Sequence, residues 1–515
     1  MGTTAVLKRS LPFLLIVAVW AGIYLPGLGS LEIRGEEGRR ILPAVSMLET
    51  GNWLVPRIDD VPYLRKPPMV NWLVATSFIL SGRRNEWTAR LPSALAILAL
   101  GLGVLIGLRR WLGTDHAVFA ALAVLTTAEL IDKGRLIEID ALYAAAFGLA
   151  VAAWIGLDGN SSRFRWVVSG FFLGIGLLLK GPLLLLFFYP FVTIVLARSG
   201  KLAALWSPQH LAGLAVMLLV FAAWLVPHLL NPEAKGAVST WSSQYAERFD
   251  WGDYRPANTV INLGRALLNF LPWLLLLPFG RNNRRLEDRP LLAGLEWGAL
   301  ATFILVMLLP GALPRYALPL AVPVAVLAAY RLRENSGLTA PVIRVVLAGL
   351  ILIVLASFWL LVAPGGRQYV IPGAMLALGA AIWLHFEDTP RIKTLNWAAG
   401  ALAVSATLFY CGKILPELRH RESLRPEAAR IESFTPGDKV LIYAAGLDTP
   451  HVLFYLRTPH RLEPGVDAVP ADAEYLLVGR AEVDRVRQRF GERASELWRH
   501  QERGGNQTFL FRVRN

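Results

Sequence analysis

Carboxylates and cations recur in this sequence at places where an apolar chain has least use for them. The first stretch, GEEGRRILPAVSMLETGNWLVPRIDDVPYLRKPP (residues 35–68), sets Glu36 and Glu37 beside Arg39 and Arg40 and closes on Tyr63, Arg65 and Lys66. The second, DKGRLIEIDALY (residues 132–143), carries Lys133, Arg135, Glu138 and Asp140. LLLKGPLLLL places Lys180 between two apolar runs, and GALPRYALPLAVP does the same for Arg315 and Tyr316. Guanidinium groups grip phosphate in a bidentate fork, and ammonium groups bind it as point charges. A carboxylate beside them can take the proton of an incoming hydroxyl or amine. These residue types together suit group transfer from a lipid phosphate or pyrophosphate. Each signal has a plainer alternative: Asp140 as a helix cap, Lys180 as a lysine snorkelling from a tight turn, the prolines near Arg315 as helix breakers.

The elements that must position these groups are membrane helices. The chain has 515 residues, 55% of them hydrophobic and only 17% charged, with a mean hydropathy of +0.46. A soluble domain carries nearer a quarter charged residues. Apolar segments long enough for a hydrocarbon core of about 30 Å recur near 11–29, 89–108, 115–131, 141–157, 166–179, 181–197, 209–229, 260–280, 290–310, 313–330, 341–363, 369–386 and 394–414, thirteen in all. The run Met69–Leu80 is too short to span and is expected in the interface as a re-entrant or surface helix. Ile41, Val45 and Leu48 give the preceding stretch an apolar stripe suited to resting on the membrane, with Pro43 in a first turn or at a kink. The first apolar run has the flanks of a signal peptide but no cleavage site before a soluble body, so a retained helix is expected.

Thirteen spans with a cytoplasmic N-terminus make every inner loop basic, from Lys8/Arg9 through Arg109/Arg110 to Arg391/Lys393. That orientation puts residues 30–88, and everything after about residue 415, outside the cell. The net charge of +14 is scattered among these loops, which fits anionic headgroups better than a nucleic-acid face. One cysteine, Cys411, permits no intrachain disulfide. From about residue 416 the pattern becomes short apolar runs between turn signals, with an amphipathic helix expected over 481–500. The fold expected is an all-α polytopic membrane domain (residues 1–415) with interfacial helices in its first outer loop, followed by a small soluble α/β domain (416–515).

The first stretch resembles the first extracytoplasmic loop of the GT-C membrane glycosyltransferases, in the branch of aminoarabinose transferases and protein O-mannosyltransferases. The acidic pair is followed by Met47-Leu48, Gly51, Trp53, Pro56, Pro62-Tyr63, Lys66-Pro67-Pro68 and Trp72 in register. RLIEIDALY is similar to the family's second acidic motif, LLLKGP to its Lys-Gly-Pro turn, and PRYALPLAVP to its Tyr-x-Leu-Pro segment. The resemblance implies a polyprenyl-phosphate sugar donor, an extracytoplasmic site and inversion at the anomeric carbon. It implies Glu36 and Asp140 as the acceptor-activating carboxylates, with Glu37 as the secondary acid and Lys66 on the lipid phosphate. Arg65, Arg39, Lys180 and Arg315 are the further cations expected on that phosphate, and Tyr316, Glu138, Arg135, Tyr63 and Tyr245 are expected around the substrate. Arg65 and Tyr245 stand where the aminoarabinose branch has two metal ligands, so no metal cofactor is expected. Glu36 departs from the family's Asp. The acceptor could be lipid A, another glycan or a protein of the cell envelope, and the expected protein is a monomer of the bacterial inner membrane.

Two other classes compete. A transporter or flippase of a lipid-linked sugar would show inverted repeats and charges near mid-membrane, whereas these charges gather at one face; a scaffold would act through its outer domain. The orientation is open to a direct test. Cysteines introduced at Asp59 and Gly465 are expected to react with a membrane-impermeant maleimide in intact cells. Labelling only after the cells are opened would reverse the topology.

Overall fold

The computed structural model describes residues 2–158, 162–247, 252, 255–279, 285–360, 366–389, 391–421, 423–435, 442–447, 450–501 and 507–514. These form two compact units, one of residues 1–28, 90–227 and 238–417, the other of residues 29–89, 228–237 and 418–515. Eight helices among the described residues are long and apolar enough to cross a membrane, including Glu86–Leu112, Ile139–Gly156, Pro208–Leu230, Arg289–Met307, Pro314–Glu334 and Arg367–His385. Shorter apolar helices cover Arg9–Tyr24, Met69–Ser81, Thr114–Leu125 and Pro182–Arg198. The molecule is a multi-span helical membrane protein.

In the first unit the helix Ile139–Gly156 is apolar on every side and is buried on nearly every side, as an all-round apolar helix in a bundle must be. Small residues let it approach its neighbour. A Cβ on Gly156 would fall 2.6 Å from the Cα of Gly107, and one on Gly107 would fall 2.4 Å from the carbonyl oxygen of Ala152. Packing through small residues replaces the hydrophobic drive that lipid cannot supply. At the other extreme, Val345, Leu352 and Leu355 of the helix Thr339–Leu360 are exposed, as lipid-facing side chains are.

Two expected spans are divided. Over 260–280 the helix Pro256–Leu268 stops at Asn269, and the chain resumes as a 3₁₀ turn over Trp273–Leu276. Pro272 lacks the N–H a continuing helix would need. Over 115–131 the helix Thr114–Leu125 ends at Thr126 and Thr127, whose hydroxyls bond back to the carbonyls of Leu122 and Ala123. A short helix, Ala128–Lys133, comes next.

The second unit contains the helices Gly38–Thr50 and Met69–Ser81, a hairpin of Arg57–Ile58 with Val61–Pro62, and a five-stranded mixed sheet. Pro43 lies inside the first helix, beyond its first turn. In the sheet, Ile442–Ala445 runs parallel to both His460–Glu463 and Tyr475–Gly479, and Gln507–Val513 pairs antiparallel with Tyr475–Gly479 and with Ala494–Gln501. Leu476, Val478, Val483, Val486, Phe490, Phe509 and Phe511 form its core. The helix expected over 481–500 covers only Val483–Phe490. Gly491, at φ +55°, ends it in a left-handed conformation that favours glycine, and residues 494–501 form an edge strand.

A buried ion pair crosses the first unit. Arg331 is 2% exposed and bonds to Glu296, which sits in a π-helical turn, Gly294–Gly298. Removing one partner of such a pair strands the other charge, at a cost of about 3–5 kcal/mol, whereas replacing both with apolar residues is often neutral. Glu296→Ala is therefore expected to lower the apparent Tm in detergent well below wild type. The double change Glu296→Met with Arg331→Met is expected to recover most of that loss.

Candidate active site

The helix Ile139–Gly156 carries Asp140 in its first turn, where a carboxylate also complements the helix N-terminus. Asp140 is buried, and two cations from other segments meet it. Lys180 Nζ lies 2.5 Å from its Oδ1 and Arg315 Nε lies 3.5 Å from its Oδ2. Lys180 is the last residue of the helix Ser162–Lys180, and Gly181, at φ +87°, turns the chain away immediately after it. Arg315 and Tyr316 stand on a 3₁₀ segment, Pro314–Leu320. The Lys180 ammonium lies 4.5 Å from the centre of the Tyr316 ring, within cation–π range. One carboxylate between two cations leaves a net positive charge at the ends of three apolar segments.

Beside this triplet the charge reverses. Lys133 lies within 4.0 Å of Glu129, Asp132 and Glu138. Burial pushes the Glu138 carboxyl up from the usual range, against the pull of Lys133, with Asp140 adding to the rise. Arg135 has a different use. Its guanidinium donates to the carbonyls of Ile23 and Pro26 at the end of the first helix, and lies 3.7 Å from Cys411 Sγ. A cation there satisfies carbonyls that the helix leaves unpaired.

The second unit gathers the first-loop residues. Glu36 stands in a 3₁₀ turn, Gly35–Glu37, that runs into the helix Gly38–Thr50. Its carboxylate lies 3.1 Å from Arg39 Nη1 and 3.7 Å from Arg40 Nη2. Arg40 is buried and donates to the Tyr63 hydroxyl at 2.8 Å, while Asn71 donates to the Arg40 carbonyl at 2.8 Å. Glu37 points inward, 1% exposed, and accepts the backbone N–H of Arg34 at 3.1 Å, which makes it a cap for the turn. Arg65 is exposed and Lys66 half-buried, just ahead of the helix Met69–Ser81. Tyr245 lies on the helix Ala237–Glu247, and its side chain falls outside the described residues.

The structure thus assembles Asp140, Lys180, Arg315 and Tyr316 in one unit, and Glu36, Arg39 and Tyr63 in the other. Sequence reasoning passed over Arg40 as a site residue. Its signal was a spacing of four from Glu36, one helical turn away. Among the described residues no group of three or more His, Cys, Asp or Glu side chains could hold a metal ion. The residues assembled around Asp140 are two cations to one carboxylate, which leaves positive charge to meet an anion.

A family model described as dolichyl-phosphate-mannose-protein mannosyltransferase matches residues 65–226, which include Asp140 and Lys180. An undecaprenyl phosphate-alpha-4-amino-4-deoxy-L-arabinose arabinosyl transferase of Erwinia tasmaniensis is 26% identical over 399 residues, 72% of this chain and 70% of the relative. One of Edwardsiella ictaluri is 26% identical over 439 residues, 78% of this chain and 76% of the relative. The crystal structure of ArnT from Cupriavidus metallidurans bound to undecaprenyl phosphate has the same fold, with a TM-score of 0.73 at 19% identity, over 99% of this chain and 98% of that one. Over most of its length the chain is thus similar in sequence to aminoarabinose transferases, and it shares the fold of ArnT.

In a glycosyltransferase the triplet has a direct consequence. Asp140→Asn keeps the shape but frees both cations, and turnover is expected to fall about 10²-fold, as when an acid–base group or its partner is lost. Lys180→Met is expected to raise the KM for the sugar donor by roughly 10- to 100-fold, from one charged hydrogen bond of about 1.5–3 kcal/mol. Steady-state kinetics in proteoliposomes separate the two effects.

Proposed function

We propose that the enzyme takes its sugar from a polyprenyl-phosphate-linked donor and passes it, with inversion, to an acceptor on the extracytoplasmic face of the bacterial inner membrane. The observation that carries this reading is the Asp140–Lys180–Arg315 triplet, with its excess cation at the mouth of apolar helices. A lipid phosphate is the anion that such a position would meet. Lys180 and Arg315 hold it, and the family resemblance implies Lys66 and Arg65 as further cations. Arg39, pressed against Glu36, holds that carboxylate in this resting arrangement and turns to phosphate only if the pair opens.

Glu36 takes the proton from the acceptor's hydroxyl or amine as the acceptor attacks the anomeric carbon. The bond from that carbon to the phosphate oxygen breaks, and polyprenyl phosphate leaves with the electron pair. Asp140 fixes Lys180 and Arg315 so that their donors face the phosphate as its charge grows. Tyr316, Glu138 and Tyr245 in the first unit and Tyr63 in the second are the residues expected to contact the substrate, whereas Arg135 serves indirectly by holding the end of the first helix. Guanidinium and ammonium groups meet the phosphate charge without a metal. Thirteen spans would put the first loop and the C-terminal domain on the extracytoplasmic side. The relatives are transferases, which separates this reading from transport of a lipid-linked sugar.

Membranes containing the enzyme are expected to consume undecaprenyl-phosphate sugar only when an acceptor is supplied, and mass spectrometry of envelope lipids and glycans with and without the gene identifies the product. Consumption without any acceptor, or movement of intact donor across the bilayer, overturns the proposal. Glu36→Gln is expected to lower turnover about 10²-fold or more, with Glu36→Asp retaining part of it and Glu37→Gln costing less than Glu36→Gln.

A further inference from the structure

The segment that carries Glu36 is held from both sides by residues of the C-terminal region, within the second unit. Three residues before Glu36, the Ile33 backbone N–H donates to the Tyr455 hydroxyl at 2.7 Å. That hydroxyl donates in turn to Glu86 at 2.9 Å, and Arg425 donates to the same carboxylate at 2.6 Å. One residue earlier, Glu32 accepts the Ser423 hydroxyl at 2.8 Å and the backbone N–H groups of Leu424 and Arg425 at 2.5 and 3.0 Å. Two residues after Glu36, the backbone at Gly38 runs so close to His451 that a Cβ on Gly38 would lie 2.7 Å from the His451 Cβ. Ile33 is fully buried and Glu86 nearly so, so an unmade hydrogen bond at either end would be costly.

We propose that Tyr455 is a positioning residue for catalysis, fixing the 33–38 backbone so that the Glu36 carboxylate stays aimed at the acceptor. The C-terminal region is then part of the catalytic apparatus and not an appended module. The inference rests on the reading of Glu36 as the acceptor's base. Its physical basis is short leverage. Gly35, at φ +52°, supplies the sharp turn between the Tyr455 anchor and Glu36, and glycine by itself holds no backbone direction. The Arg34–Glu37 hydrogen bonds close the turn itself, and the anchors at Ile33 on one side and Gly38 on the other fix where it points.

Tyr455→Phe tests this in the full-length enzyme in proteoliposomes, because it keeps the ring and removes only the hydroxyl. The expected result is a fall in kcat of roughly 10- to 100-fold, the scale of a small misplacement of a catalytic group, with the donor KM unchanged. Hydrogen exchange should quicken in a peptide covering residues 31–41 while strand Tyr475–Gly479 keeps its protection. In a Glu36→Gln background the same substitution should lower kcat no further, since it acts through Glu36. An unchanged kcat, or a fall that adds in full to that of Glu36→Gln, overturns the positioning role. So does equal loss of protection in the 31–41 peptide and in strand Tyr475–Gly479, which marks plain destabilisation. If Glu36→Gln alone retains wild-type turnover, the base assignment itself fails. If Glu36→Gln is inactive and Tyr455→Phe is not, only the positioning role fails.

Discussion

A carboxylate buried among apolar helices must be paired, and much of the first unit is arranged to pair Asp140. Moving an ionised carboxylate from water into such surroundings costs several kcal/mol even after relaxation. Two partners from distant parts of the chain offset it, Lys180 from a helix C-terminus and Arg315 from a 3₁₀ segment. For both to arrive, the helix carrying Lys180 must stop at that residue, which Gly181 secures, and the proline-framed segment 314–320 must present Arg315 and Tyr316 together. The close Gly107–Gly156 contact anchors the opposite end of the helix that bears Asp140. One electrostatic requirement therefore fixes where three segments end.

The second unit answers the same kind of requirement with different groups. Its buried acids Glu37 and Glu86, and the half-buried Glu32, are satisfied by backbone N–H groups, hydroxyls and one guanidinium, and they hold the chain in place. Its half-exposed acid, Glu36, faces two guanidinium groups that also have other partners or solvent available. The distinction separates turn-holding carboxylates from an accessible one within a few residues of sequence. Glu36 and Glu37 are adjacent, yet one caps a turn and the other is left accessible. Arg135 and Asp140 divide in the same way, the first spent on helix-end carbonyls and the second on a cation pair.

The proposed chemistry depends on this division. Glycosyl transfer from a phosphate donor needs cations where negative charge develops and a carboxylate where a proton is lost. An enzyme that offers both can work without forming a covalent intermediate. The reversal of charge from the Asp140 triplet to the acids around Lys133 gives the site a cationic and an acidic end over a short distance, a gradient that would orient a polar substrate as it binds.

The apolar segments, the short Met69 helix, the change of character after residue 415 and the charged motifs around Glu36, Asp140, Lys180 and Arg315 were legible in the sequence because hydropathy and turn chemistry are local. Each is set by the residues within one helix or one turn. Even so, local reading joined the helix Pro256–Leu268 to the turn Trp273–Leu276 as one span, and it ran a helix through Gly491 into an edge strand. A single proline or glycine changes the hydrogen-bond supply without changing the apolar average. Pairing was not legible. That Asp140 meets Lys180 and Arg315, that Arg135 turns away to the first helix, and that Tyr455 and Glu86 hold the Glu36 segment depend on which atoms come within about 3 Å of one another. Sequence sets the inventory of charges and the lengths of the elements that carry them. Only the packed chain decides their partners, because ion pairing and hydrogen bonding act over distances that hydropathy does not encode.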